Sequence, residues 1–132
     1  MAITANIQLF GLTLNGVYIR VGGVSGGKQS GYWHADVQRF PDGGVAVRAY
    51  DAAVAANTAA QAAMQAAPGD AAFARAADVA SQTLAKAEAD VQSAMLTTSS
   101  DYVTVPYDAA NPNPYPALYS VLKAQYPGAA DC

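Results

Sequence analysis

Hydrophobic and polar positions divide the chain into three textures. In the first, Ile3, Ala5, Ile7 and Leu9 alternate with Thr4, Asn6 and Gln8, the period of a half-buried strand. Asn15-Gly16 is a turn dipeptide, after which Val17, Ile19 and Val21 alternate with Tyr18 and Arg20 as a second strand. Gly22-Gly23 and Gly26-Gly27 bracket a flexible connection to a third strand, Tyr32–Phe40. There Trp33, Ala35 and Val37 share one face, and His34, Asp36 and Gln38 the other. Pro41-Asp42-Gly43-Gly44 marks a turn, and Val45, Val47 and Ala49 predict a fourth, antiparallel strand. Such short connections predict a meander.

The second texture is alanine. Asp51 is placed to cap a helix, and Ala52–Ala67 has high helix propensity throughout. Pro68-Gly69-Asp70 ends that helix and caps the next. Phe73, Ala77, Ala80, Leu84, Ala87, Val91 and Ala94 then recur at steps of four and three, the spacing of a coiled-coil seam. Val54, Thr58, Gln61 and Met64 would face that seam from the first helix, while Arg75, Asp78, Gln82, Lys86 and Glu88 form a wet outer face. This pattern predicts an antiparallel helical hairpin over 51–96. Packing of the longer second helix against another subunit is the competing arrangement, and Leu84 and Val91 are its candidate interface residues.

In the third texture, Thr97-Thr98-Ser99-Ser100 reads as a linker and Tyr102–Tyr107 as a short strand with Pro106 at an edge or end. Asn111-Pro112-Asn113-Pro114 is a rigid loop. A helix starting at Pro116 carries Leu118, Tyr119, Leu122 and Tyr126 on one face and stops at Pro127-Gly128. The chain is thus expected to be one α+β domain over 1–132. Its small, mainly antiparallel sheet would have a four-strand N-terminal meander and one later strand, with the helical hairpin inserted and a C-terminal helix covering it. Trp33 and Phe73 are the expected packing anchors, under the sheet and at the base of the hairpin seam.

Composition narrows the function. The 132 residues are 52% apolar, much of it alanine, and only 13% charged, below the usual quarter. A subunit buried in a larger assembly tolerates such a weakly charged surface. Seven basic residues are scattered in a chain of net charge −3, so nucleic-acid binding through phosphates is not expected. No secretory signal pattern opens the sequence, and Asn57, Thr58, Gln61 and Gln65 interrupt the least polar stretch, so no membrane span is expected. Cys132 is the only cysteine, which excludes an intrachain disulfide and a Cys-cluster zinc site and leaves a free thiol or an intersubunit bridge.

Chemistry-bearing motifs are sparse. Gly22 through Lys28 evokes a phosphate-binding loop, but position 29 is Gln where Ser or Thr would hold magnesium, and no helix is expected to follow. His34 is the only histidine and lacks further metal ligands or a nucleophile beside it. Asp36 with Asp42, and Glu88 with Asp90, read as solvating charges. No catalytic residue, cofactor or metal ligand is therefore expected, and an enzyme is not. The tyrosines say more: Tyr102, Tyr107, Tyr115 and Tyr119 crowd the last third, with Tyr126 beyond them. Such rings either cover the sheet beneath the helix or form a contact surface, for which these four are the candidates.

Several segments resemble a family of small tailed-bacteriophage virion proteins. They are Tyr18-Ile19-Arg20-Val21 with Val24-Ser25-Gly26-Gly27-Lys28, the Arg48-Ala49-Tyr50 strand end, and Val105-Pro106-Tyr107-Asp108. Asn113-Pro114-Tyr115 follows, then Tyr119-Ser120-Val121-Leu122-Lys123 leading to Ala130-Asp131-Cys132. The resemblance covers roughly residues 3–50 and 101–132, with 51–96 looking like an insertion absent from shorter members. It implies a virion location and a structural part, tail- or baseplate-associated or at the neck. Other virion structural proteins and further copies of the chain would be its partners. A capsid decoration or cement protein is the closest alternative. A small nucleotide-binding module or enzyme using Gly22–Lys28, or a cytoplasmic adaptor, would be a rival of another class.

Overall fold

In a computed structural model, which describes residues 1–96 and 101–132, the alternating segments form strands in the order of the chain. Strands β1 (Ile3–Leu9), β2 (Leu12–Gly27) and β3 (Tyr32–Phe40) run as an antiparallel meander. Helices α1 (Val45–Ala66) and α2 (Ala71–Ala94) follow, then β4 (Tyr102–Pro106), α3 (Tyr115–Gln125) and β5 (Ala130–Asp131). The sheet has the order β4-β3-β2-β1-β5, so β4 closes one side and the two-residue β5 part of the other. The Thr97–Ser100 linker lies outside the described residues. The α+β class, the helical hairpin and the C-terminal helix stand as the sequence predicts.

The fourth meander strand does not form. Val45, Val47 and Ala49 are the first turns of α1, and Asp51 lies inside the helix rather than at its cap. Gly43 and Gly44 both take left-handed φ, 68° and 84°, which breaks the strand direction, and Asp42 Oδ1 accepts the Gly44 N–H at 2.8 Å. Helix once nucleated propagates cheaply, so the alanine run extends back over a β-branched start. The place beside β3 that this strand would have filled belongs to β4, paired Tyr32↔Pro106 through Asp36↔Tyr102.

Two further turns are placed differently. The β1–β2 reversal is Phe10-Gly11, with positive φ at both residues as a two-residue primed turn requires. Asn15-Gly16 is instead an irregularity within β2, where pairing slips between Ala5↔Val17 and Ile7↔Leu14. The glycines of 22–27 likewise lie within a paired strand, not a flexible connection: Gly26 faces Trp33 and Gly27 faces Tyr32 across the ladder.

The chain divides into two compact units, one of Met1–Gly44 with Met95–Cys132 and one of Val45–Ala94. The first owes its core to the alternation. Ile3, Val17, Ile19, Ala35, Val103, Leu118 and Leu122 are all fully buried or nearly so, with α3 laid across the sheet. Among the described residues Arg39 is the buried charged one, donating from Nε to Tyr126 Oη at 2.8 Å and pairing with Asp101. On the other face Tyr18 meets Phe40 edge-on, and the Arg20 guanidinium lies 5.3 Å over the same ring.

The second unit is the hairpin. Asp70 caps α2 by accepting the Ala72 N–H at 2.9 Å, as the sequence predicts. Ala77, Ala87 and Val91 are buried on α2, and Leu84 and Ala80 are half-buried beside them. On α1 the inward positions include Val47, Ala53, Asn57, Ala60, Gln61 and Met64. Val54 and Thr58, expected in the seam, are exposed, and Thr58 Oγ1 bonds its own helix at the Val54 carbonyl. Phe73 does not anchor the seam; it is 41% exposed.

Candidate interaction surfaces

The four tyrosines singled out by sequence are split by the fold between surface and core. Tyr102 projects from β4 and stacks on His34, ring centroids 4.5 Å apart, while His34 Nδ1 bonds Thr104 Oγ1 at 3.0 Å. Tyr107, just beyond β4, is half-buried with its ring 6.0 Å from Trp33. Tyr115 opens α3, its N–H donating to Asn113 Oδ1 at 3.2 Å, and its ring is exposed. These three offer amphipathic area at the surface.

Tyr119 is a core residue, 5% exposed, and cannot serve an interface. Its hydroxyl accepts the buried Val21 N–H at 3.2 Å and donates to the Met1 carbonyl. Burial pushes this phenol above its ordinary pKa, with the Val21 N–H pulling the other way. Spacing on α3 foretold its inward direction; the interface assignment ignored that spacing. On α2 Val91 is buried and Leu84 half-buried, so both belong to the hairpin's own seam.

The glycine-rich segment has no phosphate-cradling shape. Gly22 and Gly23 sit at an irregularity of β2 between Val21 and Val24, opposite Asp36. A Cβ on Gly22 would lie 2.1 Å from Asp36 Oδ2, so the missing side chain makes room for that carboxylate to fold over the strand. Gln38 Nε2 donates to Asp36 at 3.3 Å and its Oε1 accepts from Arg20 Nε at 2.8 Å. The turn after Gly27 leads directly into β3, tied by Gly31 N–H to the Gly27 carbonyl. A helix N-terminus, which would supply the donors for a phosphate, is not presented there.

The remaining charged candidates are local. Asp42 makes the turn bond before α1, and Asp90 pairs with Lys86 at 2.7 Å on the exposed face of α2. Among the described residues no group of three His, Cys, Asp or Glu side chains is placed to hold a metal ion, and no helix is long and apolar enough to cross a membrane. Trp33, expected as an anchor under the sheet, is half-buried against the core with its Nε1 enclosed.

Sequence reasoning, which makes the helical hairpin a contact element without naming a face, missed two surfaces. One is the outward side of α1 beyond Asp51. Residues 52–67 hold no charged side chain, and Val54, Ala55, Ala56, Thr58, Ala59 and Ala62 are all exposed. The outward side of α2 carries Arg75, Asp78, Lys86, Glu88 and Asp90 instead. The other is the β1–β2 turn, where Phe10 is 85% and Leu12 67% exposed. Both could have been found by asking where charge is missing rather than where aromatic rings gather. Comparisons of the chain with protein-family models, with curated proteins and with solved structures gave no match.

Proposed function

We propose that this chain is a structural subunit of a bacteriophage virion, tail- or baseplate-associated or at the neck, which acts through protein–protein contacts in a symmetric assembly. The observation that carries the contact role is the uncharged outward side of α1 beyond Asp51. Interface cores are depleted of charge, whereas a solvated helix normally carries it on its outer face, as α2 does. A smooth methyl-covered rod allows another helix to approach closely. The exposed rings of Tyr102 and Tyr115 add a second contact surface on the sheet-bearing unit.

The virion setting rests on the resemblance. Most of the segments that carry it lie in β2, β4, α3 and β5, all within the sheet-bearing unit, while nearly the whole of the hairpin forms the other unit. That division fits a shared sheet with an inserted contact element.

Quantitative mass spectrometry and cross-linking of purified particles test the proposal. The expected result is the chain in every particle at a copy number matching a ring, with cross-links from Lys86 to other virion proteins. A copy number matching the capsid lattice would instead make it a cement protein. Absence from particles overturns the virion role.

A further inference from the structure

Helix α3 covers one face of the sheet, and among the described residues the opposite face carries no helix of the sheet-bearing unit. Register places the side chains of that open face. Arg20 stands opposite Gln38 and Ser25 opposite His34, while from β4 Tyr102 stands opposite Asp36 and Thr104 opposite His34. The middle of the face is polar. Arg20 Nε donates to Gln38 Oε1 and Gln38 Nε2 donates to Asp36, so three planar groups form one chain. One end is aromatic, where His34 stacks on Tyr102 and bonds Thr104. Arg20, Gln38, Asp36 and His34 are half-buried, and Tyr102 is 52% exposed.

The backbone beneath is shaped to the carboxylate. Val21 pairs with Val37 and Val24 with Ala35, so Gly22 and Gly23 together oppose the single residue Asp36, the count of a β-bulge. Gly23 makes room as Gly22 does: a Cβ there would lie 3.1 Å from Asp36 Oδ1. Two adjacent glycines therefore let the carboxylate lie on the strand, where Gln38 holds its Oδ2. Among the described residues, Asp36 Oδ1 and the two Nη groups of Arg20 have no hydrogen-bond partner. Groups fixed in this way are oriented before a ligand arrives, which lowers the cost of binding one.

We infer that this face binds a neutral oligosaccharide. The order of the groups selects the ligand. A protein partner is met by an apolar core inside a polar rim, whereas here the polar groups hold the middle and the exposed ring stands at the end. Arg20 and Asp36 leave the face without net charge, which gives no purchase to a phosphate chain or an anionic headgroup. The complementary ligand is uncharged, both gives and takes hydrogen bonds along its edge, and has C–H faces that stack on a ring. A sugar has these properties. Its hydroxyls donate to Asp36 Oδ1 and accept from Arg20 Nη and Gln38 Nε2, and a ring face packs on the open side of Tyr102. From Gln38 to His34 the strand rises about 13 Å, room for more than one sugar ring. The Tyr102 ring, counted above as contact area, then meets a saccharide.

This site does not rest on the virion setting and is tested on the purified full chain. The probe is an array of immobilised oligosaccharides, with neutral glucans, mannans and galactans beside sialylated and sulfated ones, followed by calorimetry with the strongest neutral member. Binding to a neutral member, little changed by salt, is expected. Asp36→Asn keeps the shape of the side chain and removes an acceptor, and Tyr102→Ala removes an exposed ring. Each should weaken binding about tenfold while the urea midpoint stays at the parent's. Gly22→Ala, which drives a Cβ into the Asp36 carboxylate, should weaken binding as well. A blank neutral panel, binding confined to the sialylated or sulfated members, or an affinity indifferent to both Asp36→Asn and Tyr102→Ala overturns the site. So does capture of another virion protein by this face when the neutral panel is blank.

Discussion

The sheet-bearing unit and the helical hairpin solve the same packing problem with opposite side chains. In the sheet, Ile3, Ile19, Phe40, Leu118 and Leu122 are fully buried, and each contributes a large apolar area. In the hairpin the buried positions include Ala53, Ala77 and Ala87, which contribute little area each and gain stability by letting the helix axes close up. The sheet is therefore held by volume and the hairpin by proximity. A large side chain removed from one and a large one added to the other should both do harm, for different reasons.

The largest expected loss is in the sheet. Leu118→Ala leaves a cavity between α3 and the strands and should cost about 2–5 kcal/mol in urea unfolding. Ala77→Leu inverts the experiment, forcing α1 and α2 apart at a position 2% exposed, and should cost about 1–3 kcal/mol. Val79→Leu, on the exposed side of the same helix, should change little. If Ala77→Leu were instead neutral, the hairpin would not be held by close approach and the contrast between the units would fail.

Tyr119 sharpens the comparison, because it brings a polar group into the volume-filled core. Tyr119→Phe strands the Val21 N–H and the Met1 carbonyl and should cost about 1–2 kcal/mol near neutral pH. The folded phenol is raised above its ordinary value, so folding retains the proton more tightly than the unfolded chain. That contribution is fully present below about pH 10 and is lost as pH rises through the higher folded pKa. The parent's advantage over Tyr119→Phe should therefore shrink in thermal unfolding above pH 10. An advantage constant with pH would place the hydroxyl in contact with water.

The legible parts of the fold were those where one period ruled. β1 and β3 match their alternation from Ile3 to Leu9 and from Tyr32 to Phe40, and the α2 seam follows its four-three spacing except at Phe73. What sequence could not decide was competition between neighbours. Val45–Ala49 alternates like a strand, yet the alanine run captured it and a segment far along the chain took its place beside β3. On α1 Gln61 and Met64 face inward as expected, but Val54 and Thr58 are false markers by one position, because alanine lies on every side of that helix. For the interface candidates, aromatic residue type was followed where direction mattered: Tyr119 and Tyr102 differ in burial because they stand on different faces, not because their chemistry differs.

The smallest expected effect lies at the turn that joins β1 to β2. Phe10 has φ of 50°, the left-handed region that a bulky residue adopts at a cost and that Asn tolerates best among side-chain-bearing residues. Phe10→Asn would create Asn-Gly, the favoured pair for this turn, and remove an exposed ring at the same time. Neither change touches the core of the sheet or the alanine seam. The substitution should thus stabilise the single chain by about 0.5 kcal/mol in urea unfolding at low protein concentration. No gain in stability would show that the left-handed turn costs Phe10 nothing. A loss of stability would mean that the ring already packs within its own chain.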